Sequence, residues 1–153
     1  MTRNQLIDKL KNNFDIKELV CQHCYNNFKD NAWQFLSTEL LSTLYTLRYV
    51  IFNKPITINN WHQKGSLSQR GLRCNMCPIV KDKKDVYISA HILGNAIDFN
   101  VQGYTTEQVY DEMRNNIDKF EYPIRIESNS TTWCHCDTYQ PIGSTAKLVE
   151  FKG

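Results

Sequence analysis

Ser89-Ala90-His91-Ile92-Leu93-Gly94-Asn95-Ala96-Ile97-Asp98 sets an imidazole and a carboxylate seven residues apart across a glycine. Gly94 supplies a turn. Ala96 to Val101 then reads as a strand, with Ala96, Asp98 and Asn100 on one face and Ile97, Phe99 and Val101 on the other. A second histidine follows in Thr132-Trp133-Cys134-His135-Cys136-Asp137. Two imidazoles and one carboxylate form the ligand set of an open catalytic zinc site, whose fourth position is left to water or substrate. If His91, Asp98 and His135 converge, hydrolysis by a metal-activated water is the expected chemistry. Taken singly, each of the three is an ordinary polar residue; the motif needs its structural context.

The strand around His135 refines the expectation. Trp133, His135 and Asp137 share one face, while Cys134 and Cys136 point to the other as small buried hydrophobes. Asp137 either bonds a ring nitrogen of a ligand histidine or is a solvated charge at a strand end. A hydrolytic zinc also needs a base for its water, and Glu127, across a hairpin from His135, is the candidate. With a loop of Ser128 to Thr132, Glu127 pairs with Trp133 and lies on the face of His135; with a loop ending at Thr131 it turns away. The competing reading is a surface glutamate paired with Arg125.

Outward from this centre, the chain alternates helical and extended patterns. Ser37 or Thr38 caps a helix running to about Phe52, with an apolar stripe of Leu40, Leu44, Leu47 and Ile51. Pro55 ends it and opens an extended run, Ile56-Thr57-Ile58-Asn59. Phe14 to Val20 gives a brief helix or turn. Residues 60–86 read as a long ordered loop, and Val86-Tyr87-Ile88 as a strand leading into the histidine motif. Thr105-Thr106-Glu107-Gln108 fits a capping box, followed by Val109, Met113, Ile117 and Phe120 on one side of a helix. Tyr122 to Glu127 and Trp133 to Tyr139 form a final hairpin. Hairpins dominate over crossovers. The expectation is one α+β domain over 1–153, with a small, mainly antiparallel sheet and flanking helices.

The 153 residues suffice for a real core, and 41% hydrophobic with 22% charged residues is ordinary for a globular chain. A net charge of +2 with scattered basic residues argues against a nucleic-acid partner. No apolar run is long enough to insert in a membrane, and the first residues lack the apolar core of a secretory signal. The expected birthplace is therefore a reducing compartment, where paired cysteines are more often thiols or metal ligands than disulfides. Cys21-Gln22-His23-Cys24 and Cys74-Asn75-Met76-Cys77 are two such pairs. Four thiolates, Cys21, Cys24, Cys74 and Cys77, would make a closed structural zinc site; the other reading is four buried or free thiols. Oligomeric state leaves no trace in the sequence, and a monomer is the default.

Ser89, His91, Gly94, Ala96 and Asp98, followed by His135 and Asp137, resemble the signature of the zinc D-alanyl-D-alanine carboxypeptidases and L-alanyl-D-glutamate endopeptidases, which have the hedgehog-like fold. The likeness is closest to the phage-type branch. It takes in Asn13 to Cys21, Ile58-Asn59-Asn60-Trp61-His62 and Arg125-Ile126-Glu127, covering about residues 13–139. The resemblance implies a catalytic zinc on His91, Asp98 and His135, Glu127 as the base, and peptidoglycan stem peptides or crosslinks as substrate. It implies action at the bacterial cell wall, reached through phage lysis or with the virion.

Two departures stand out. Thr132 occupies the place where many relatives carry an acidic residue three positions before the second histidine. Asn59-Asn60-Trp61-His62 lacks the arginine that relatives use to bind substrate, so Arg73 or Arg70 takes that part, each otherwise an ordinary surface arginine; a guanidinium suits a carboxylate through two parallel donors. Ser89 would bond a ligand or the backbone, His62 has no assigned task, and Trp61 and Trp133 either wall the cleft or belong to the core. A zinc-containing wall-binding or virion module without turnover, and a zinc hydrolase for a non-wall peptide or amide, are the rival expectations.

Overall fold

The computed structural model describes residues 1–153. Its centre is a sheet in the order β1-β2-β4-β3-β5, built from Ile56–Thr57 (β1), Ala96–Val101 (β2), Ile124–Glu127 (β3), Cys134–Asp137 (β4) and Leu148–Phe151 (β5). Alternation along these strands divides the sheet chemically. Ile97, Phe99, Ile124, Ile126, Cys134 and Cys136 are all buried in the core. Asp98, His135, Asp137, Arg125 and Glu127 point the other way, into an open cleft. One strand period therefore sorts apolar from ionisable residues without further instruction.

The sheet is mixed, which corrects the expectation of a mainly antiparallel one. β1–β2, β2–β4 and β3–β4 are antiparallel, but β5 pairs in parallel with β3, with Glu127 beside Phe151. The chain after β4 loops past β3 before re-entering the sheet, and a strand returning this way arrives in the same direction as its neighbour. Residues 148–151 carry too weak an alternation to announce this. The expected strand at Val86-Tyr87-Ile88 is absent. Val86 and Ile88 are exposed, so nothing drives the segment into the sheet.

Helices cover the apolar face. Arg3–Leu10 (α1), Ile16–Leu19 (α2), Gln22–Phe28 (α3), Thr38–Tyr45 (α4) and Thr106–Asn115 (α5) are joined by short 3₁₀ turns, among them 29–35 and 61–63. α1 and α3 carry too little periodicity for the sequence to reveal them. Ser37 caps α4 by accepting from the Leu40 N–H (3.0 Å), and the helix widens into a π-turn over 46–51 rather than running regularly to Phe52. Leu40, Leu41, Leu44 and Leu47 are buried against the rest of the core. Thr105 and Gln108 form the reciprocal cap of α5, which buries Val109, Tyr110 and Met113. A single cluster of 32 buried residues links Leu6 near the start to Cys136 on β4. No helix is long and apolar enough to cross a membrane.

Candidate metal centre

The register of the sheet assembles the site. On β2 and β4, Asp98 lies directly opposite His135 and Ala96 opposite Asp137. Directly opposed residues on one face hold their Cβ atoms about 5 Å apart, so Asp98 and His135 meet as a consequence of pairing alone. His91 arrives from the turn before β2. The Ser89 Oγ accepts from the Ile92 N–H (3.3 Å), and the Asn95 N–H reaches back to the Ala90 carbonyl (2.8 Å), closing the turn. Gly94 sits at φ +70°, and a Cβ there would strike the Phe35 carbonyl, so the turn admits glycine alone. The Gly94 carbonyl in turn accepts from the Ser37 N–H (3.0 Å), docking the histidine turn on the start of α4.

His91, Asp98 and His135 are all buried, and one donor atom from each lies within 4.8 Å of the others. His91 Nε2 is 3.3 Å from Asp98 Oδ2, and His135 Nδ1 is 2.8 Å from Asp98 Oδ1. The far nitrogen of each ring is also held. His91 Nδ1 faces the Gly71 carbonyl at 2.9 Å, and His135 Nε2 faces Asp137 Oδ2 at 2.6 Å. Such outer partners fix which nitrogen points at a metal. Here they leave Nε2 of His91 and Nδ1 of His135 aimed at the Asp98 carboxylate.

This donor set fits a zinc ion. Ligand bonds of about 2.1 Å in a tetrahedron require donors about 3.4 Å apart, and the His91–Asp98 edge is 3.3 Å. The 2.8 Å His135–Asp98 edge is a hydrogen bond, in which a ring proton stands where a cation would. The electrostatics agree. Burial disfavours a charged His135, but the carboxylates of Asp137 and Asp98 outweigh it and push its pKa up to about 9. Burial likewise opposes ionisation of Asp98, yet its hydrogen bonds to His135 and His91 hold it well below the usual carboxylate range. Asp137 is lowered in the same way, against burial, by His135 and Arg125. A pocket that holds two carboxylates ionised and pulls a proton onto a buried ring has the charge to hold a cation.

The other expected residues are placed as follows. Glu127 lines the cleft with the triad. The register Arg125↔Asp137, Ile126↔Cys136 continues to place Glu127 opposite His135 rather than Trp133, which leaves it on the same face. Arg125 does not pair with Glu127. It grips Asp137 through Nε (3.0 Å) and Nη2 (2.9 Å) and stacks on Phe151 and Tyr139. The alternation of β3, which puts 125 and 127 on one face, was the signal for Arg125 as a cleft residue. Asp137 is fully buried in this network, not solvated at a strand end.

Arg73 lines the cleft, with Nη2 at 3.4 Å from Asp98 Oδ2 and Nε donating to the Gln69 carbonyl (2.6 Å). Arg70 instead donates to Asn100 Oδ1 (2.7 Å) and stacks over Trp133, where burial lowers its pKa. Trp133 walls the cleft; Trp61 does not, donating its indole N–H to the Val20 carbonyl (3.1 Å). His62 lies edge-on to Trp61 and joins neither the cleft nor the triad.

Of the cysteines, Cys134 and Cys136 stay in the core. Cys21, Cys74 and Cys77 come together, and the fourth donor within 4.8 Å of all of them is His23 rather than the expected Cys24. The short α3 turns the His23 ring toward Cys77, which a reading of cysteine spacing alone overlooks.

Compared with protein-family models, curated proteins and solved structures, the chain gives no match.

Proposed function

We propose that the protein is a zinc metallopeptidase that hydrolyses peptide bonds in the stem peptides or crosslinks of bacterial peptidoglycan. The observation that carries the reading is the meeting of His91, Asp98 and His135 in a cleft that also holds Glu127. The likeness of the sequence motifs to the hedgehog-like peptidases supplies the substrate class and the fold family, both parts of the proposal. A zinc ion on the triad would polarise the scissile carbonyl and acidify the attacking water. Glu127 takes the water proton on a carboxylate oxygen and passes it to the leaving amine. Arg73, anchored at Nε by the Gln69 carbonyl, presents the rest of its guanidinium to a substrate carboxylate or the developing oxyanion. Asp137 and the Gly71 carbonyl keep the two imidazoles oriented. The cleft of about 550 Å³ is open enough for a branched peptide, with Trp133 and Phe151 as apolar walls.

The test is digestion of purified peptidoglycan by zinc-loaded protein, with new amino termini identified by mass spectrometry. Wild type should release them, and Glu127→Gln should release them at about 10²–10⁴-fold lower rate while keeping its metal. Equal turnover by the variant, or none by metal-loaded wild type on walls of several types, would sink the proposal. Partner binding that survives Glu127→Gln in a protein without turnover would favour the non-catalytic module.

A further inference from the structure

We propose that Cys21, His23, Cys74 and Cys77 form a second, structural zinc site, and that this site positions the loop which orients His91 and Asp98. The inference stands independently of the peptidase reading. The Sγ atoms of Cys21 and Cys74 are 3.7 Å apart, and Cys77 Sγ is 3.9 Å from His23 Nδ1. Zinc–sulfur bonds of about 2.3 Å in a tetrahedron put ligand atoms about 3.8 Å apart. A disulfide would need its sulfurs at about 2 Å. The distances are those of ligands around an ion.

Local backbone geometry serves the same end. Cys21 occupies the cap position of α3, yet its side chain makes no capping hydrogen bond and turns into the cluster. The second pair forms a tight turn, in which the Cys77 N–H donates to the Cys74 carbonyl (3.1 Å) and the Met76 N–H to Cys74 Sγ (3.4 Å). An amide aimed at sulfur stabilises a thiolate. Three thiolates and one imidazole make a closed set with no place for water, as structural zinc requires. Cys24 borders Cys21 and Cys74 but lies outside the four-donor group.

What lies between the two sites gives the cluster its purpose. Residues 71–73 directly precede Cys74 and touch both the N-terminal segment and the triad. Leu72 is clamped to Leu19 and Cys21 by paired backbone hydrogen bonds of 2.9 Å. Gly71 lies so close to the Leu19 carbonyl that no Cβ fits, and its own carbonyl holds His91 Nδ1. The Arg73 N–H donates to the His91 carbonyl (3.4 Å), and its side chain reaches Asp98. The Asp98 N–H donates to the Arg70 carbonyl (2.7 Å). A long loop with little regular secondary structure opens locally at low cost, and each further tie to the fold raises that cost. A zinc ion bridging α3 and Cys74–Cys77 pins it one residue from Arg73.

Metal content and cobalt spectroscopy of the whole chain test this. Wild type should carry two zinc ions, and the cobalt form should show an intense thiolate-to-cobalt charge-transfer band. His91→Ala/His135→Ala should keep one ion and the band. Cys74→Ser/Cys77→Ser should lose the band and, where it folds, bind zinc at the triad at least tenfold more weakly. His23→Ala should alter the cobalt spectrum, and Cys24→Ser should not. Absence of the band in well-folded wild type overturns the site. A spectrum sensitive to Cys24→Ser but not to His23→Ala overturns the ligand set, and unchanged triad affinity in a folded cysteine variant overturns the coupling. Loss of peptidase activity plays no part in any of these readouts.

Discussion

Asp137→Asn removes one negative charge from the most enclosed position of the site and changes almost nothing in shape. Asp137 is fully buried and accepts from Arg125 and from the Tyr139 N–H (3.1 Å) while facing His135 Nε2 at 2.6 Å. The carboxylate raises the basicity of the ring, so its loss weakens the ring as a ligand. Against burial, Asp137 and Asp98 together lift His135 from 6.5 to about 9. At 1.36 kcal/mol per unit that elevation is worth about 3 kcal/mol, and Asp137 is the first of the two carboxylates that supply it. Loss of a hydrogen-bonding partner behind a metal-bound histidine costs about 10–100-fold in affinity. The assay is zinc competition against a chromophoric chelator above about pH 9, where the His135 proton no longer competes with the metal, with circular dichroism to establish folding. Binding 10–100-fold weaker than wild type is expected, and the His135 pKa of the metal-free protein should fall toward 6.5 by NMR titration. A folded variant that binds zinc within twofold of wild type would refute the argument that Asp137 tunes the ligand.

Further expectations follow from neighbouring groups. In the metal-free protein the folded pKa of His135 lies above its unfolded value. Its stabilisation, up to about 3 kcal/mol, is fully present below about pH 6.5 and lost as pH rises through 9. Asp98 runs the other way, stabilising above 3.8 and less as pH falls toward its depressed folded value; urea titrations across pH should therefore place maximal stability of the metal-free protein between about 4 and 6.5. Zinc displaces one His135 proton, so affinity should rise about tenfold per pH unit up to about pH 9, which calorimetry in buffers of different ionisation enthalpy would read as proton release. Gly94→Ala combines a positive φ with a clash against the Phe35 carbonyl, and should lower Tm sharply and abolish triad metal binding. Arg73→Ala should cost about 10–100-fold in kcat/KM on peptidoglycan fragments, corresponding to lost charge-assisted hydrogen bonds of about 1.5–3 kcal/mol, with triad zinc retained.

Local signals carried far in this chain wherever one element sufficed to specify the outcome. The strand 96–101, the cap at Thr105 and the opposed faces of His135 and Cys134 follow from periods of two and 3.6 and from hydrogen bonds within four residues. The histidine turn was legible because Gly94 has few uses. Composition and cysteine spacing likewise marked the two groups of potential ligands. Partnerships made across the fold were beyond such signals. Strand pairing, not sequence distance, set Asp98 against His135, gave Arg125 to Asp137 instead of Glu127, and brought residues 148–151 in beside β3. Val86 to Ile88 reads as a strand because propensity is local, yet it stays out of the sheet because no neighbouring edge buries it. His23 joined the thiols for a similar reason: a helical turn rotates adjacent side chains by about 100°, and only the docking of α3 against the Cys74–Cys77 turn decides that His23 reaches Cys77 while Cys24 stays beside Cys21 and Cys74.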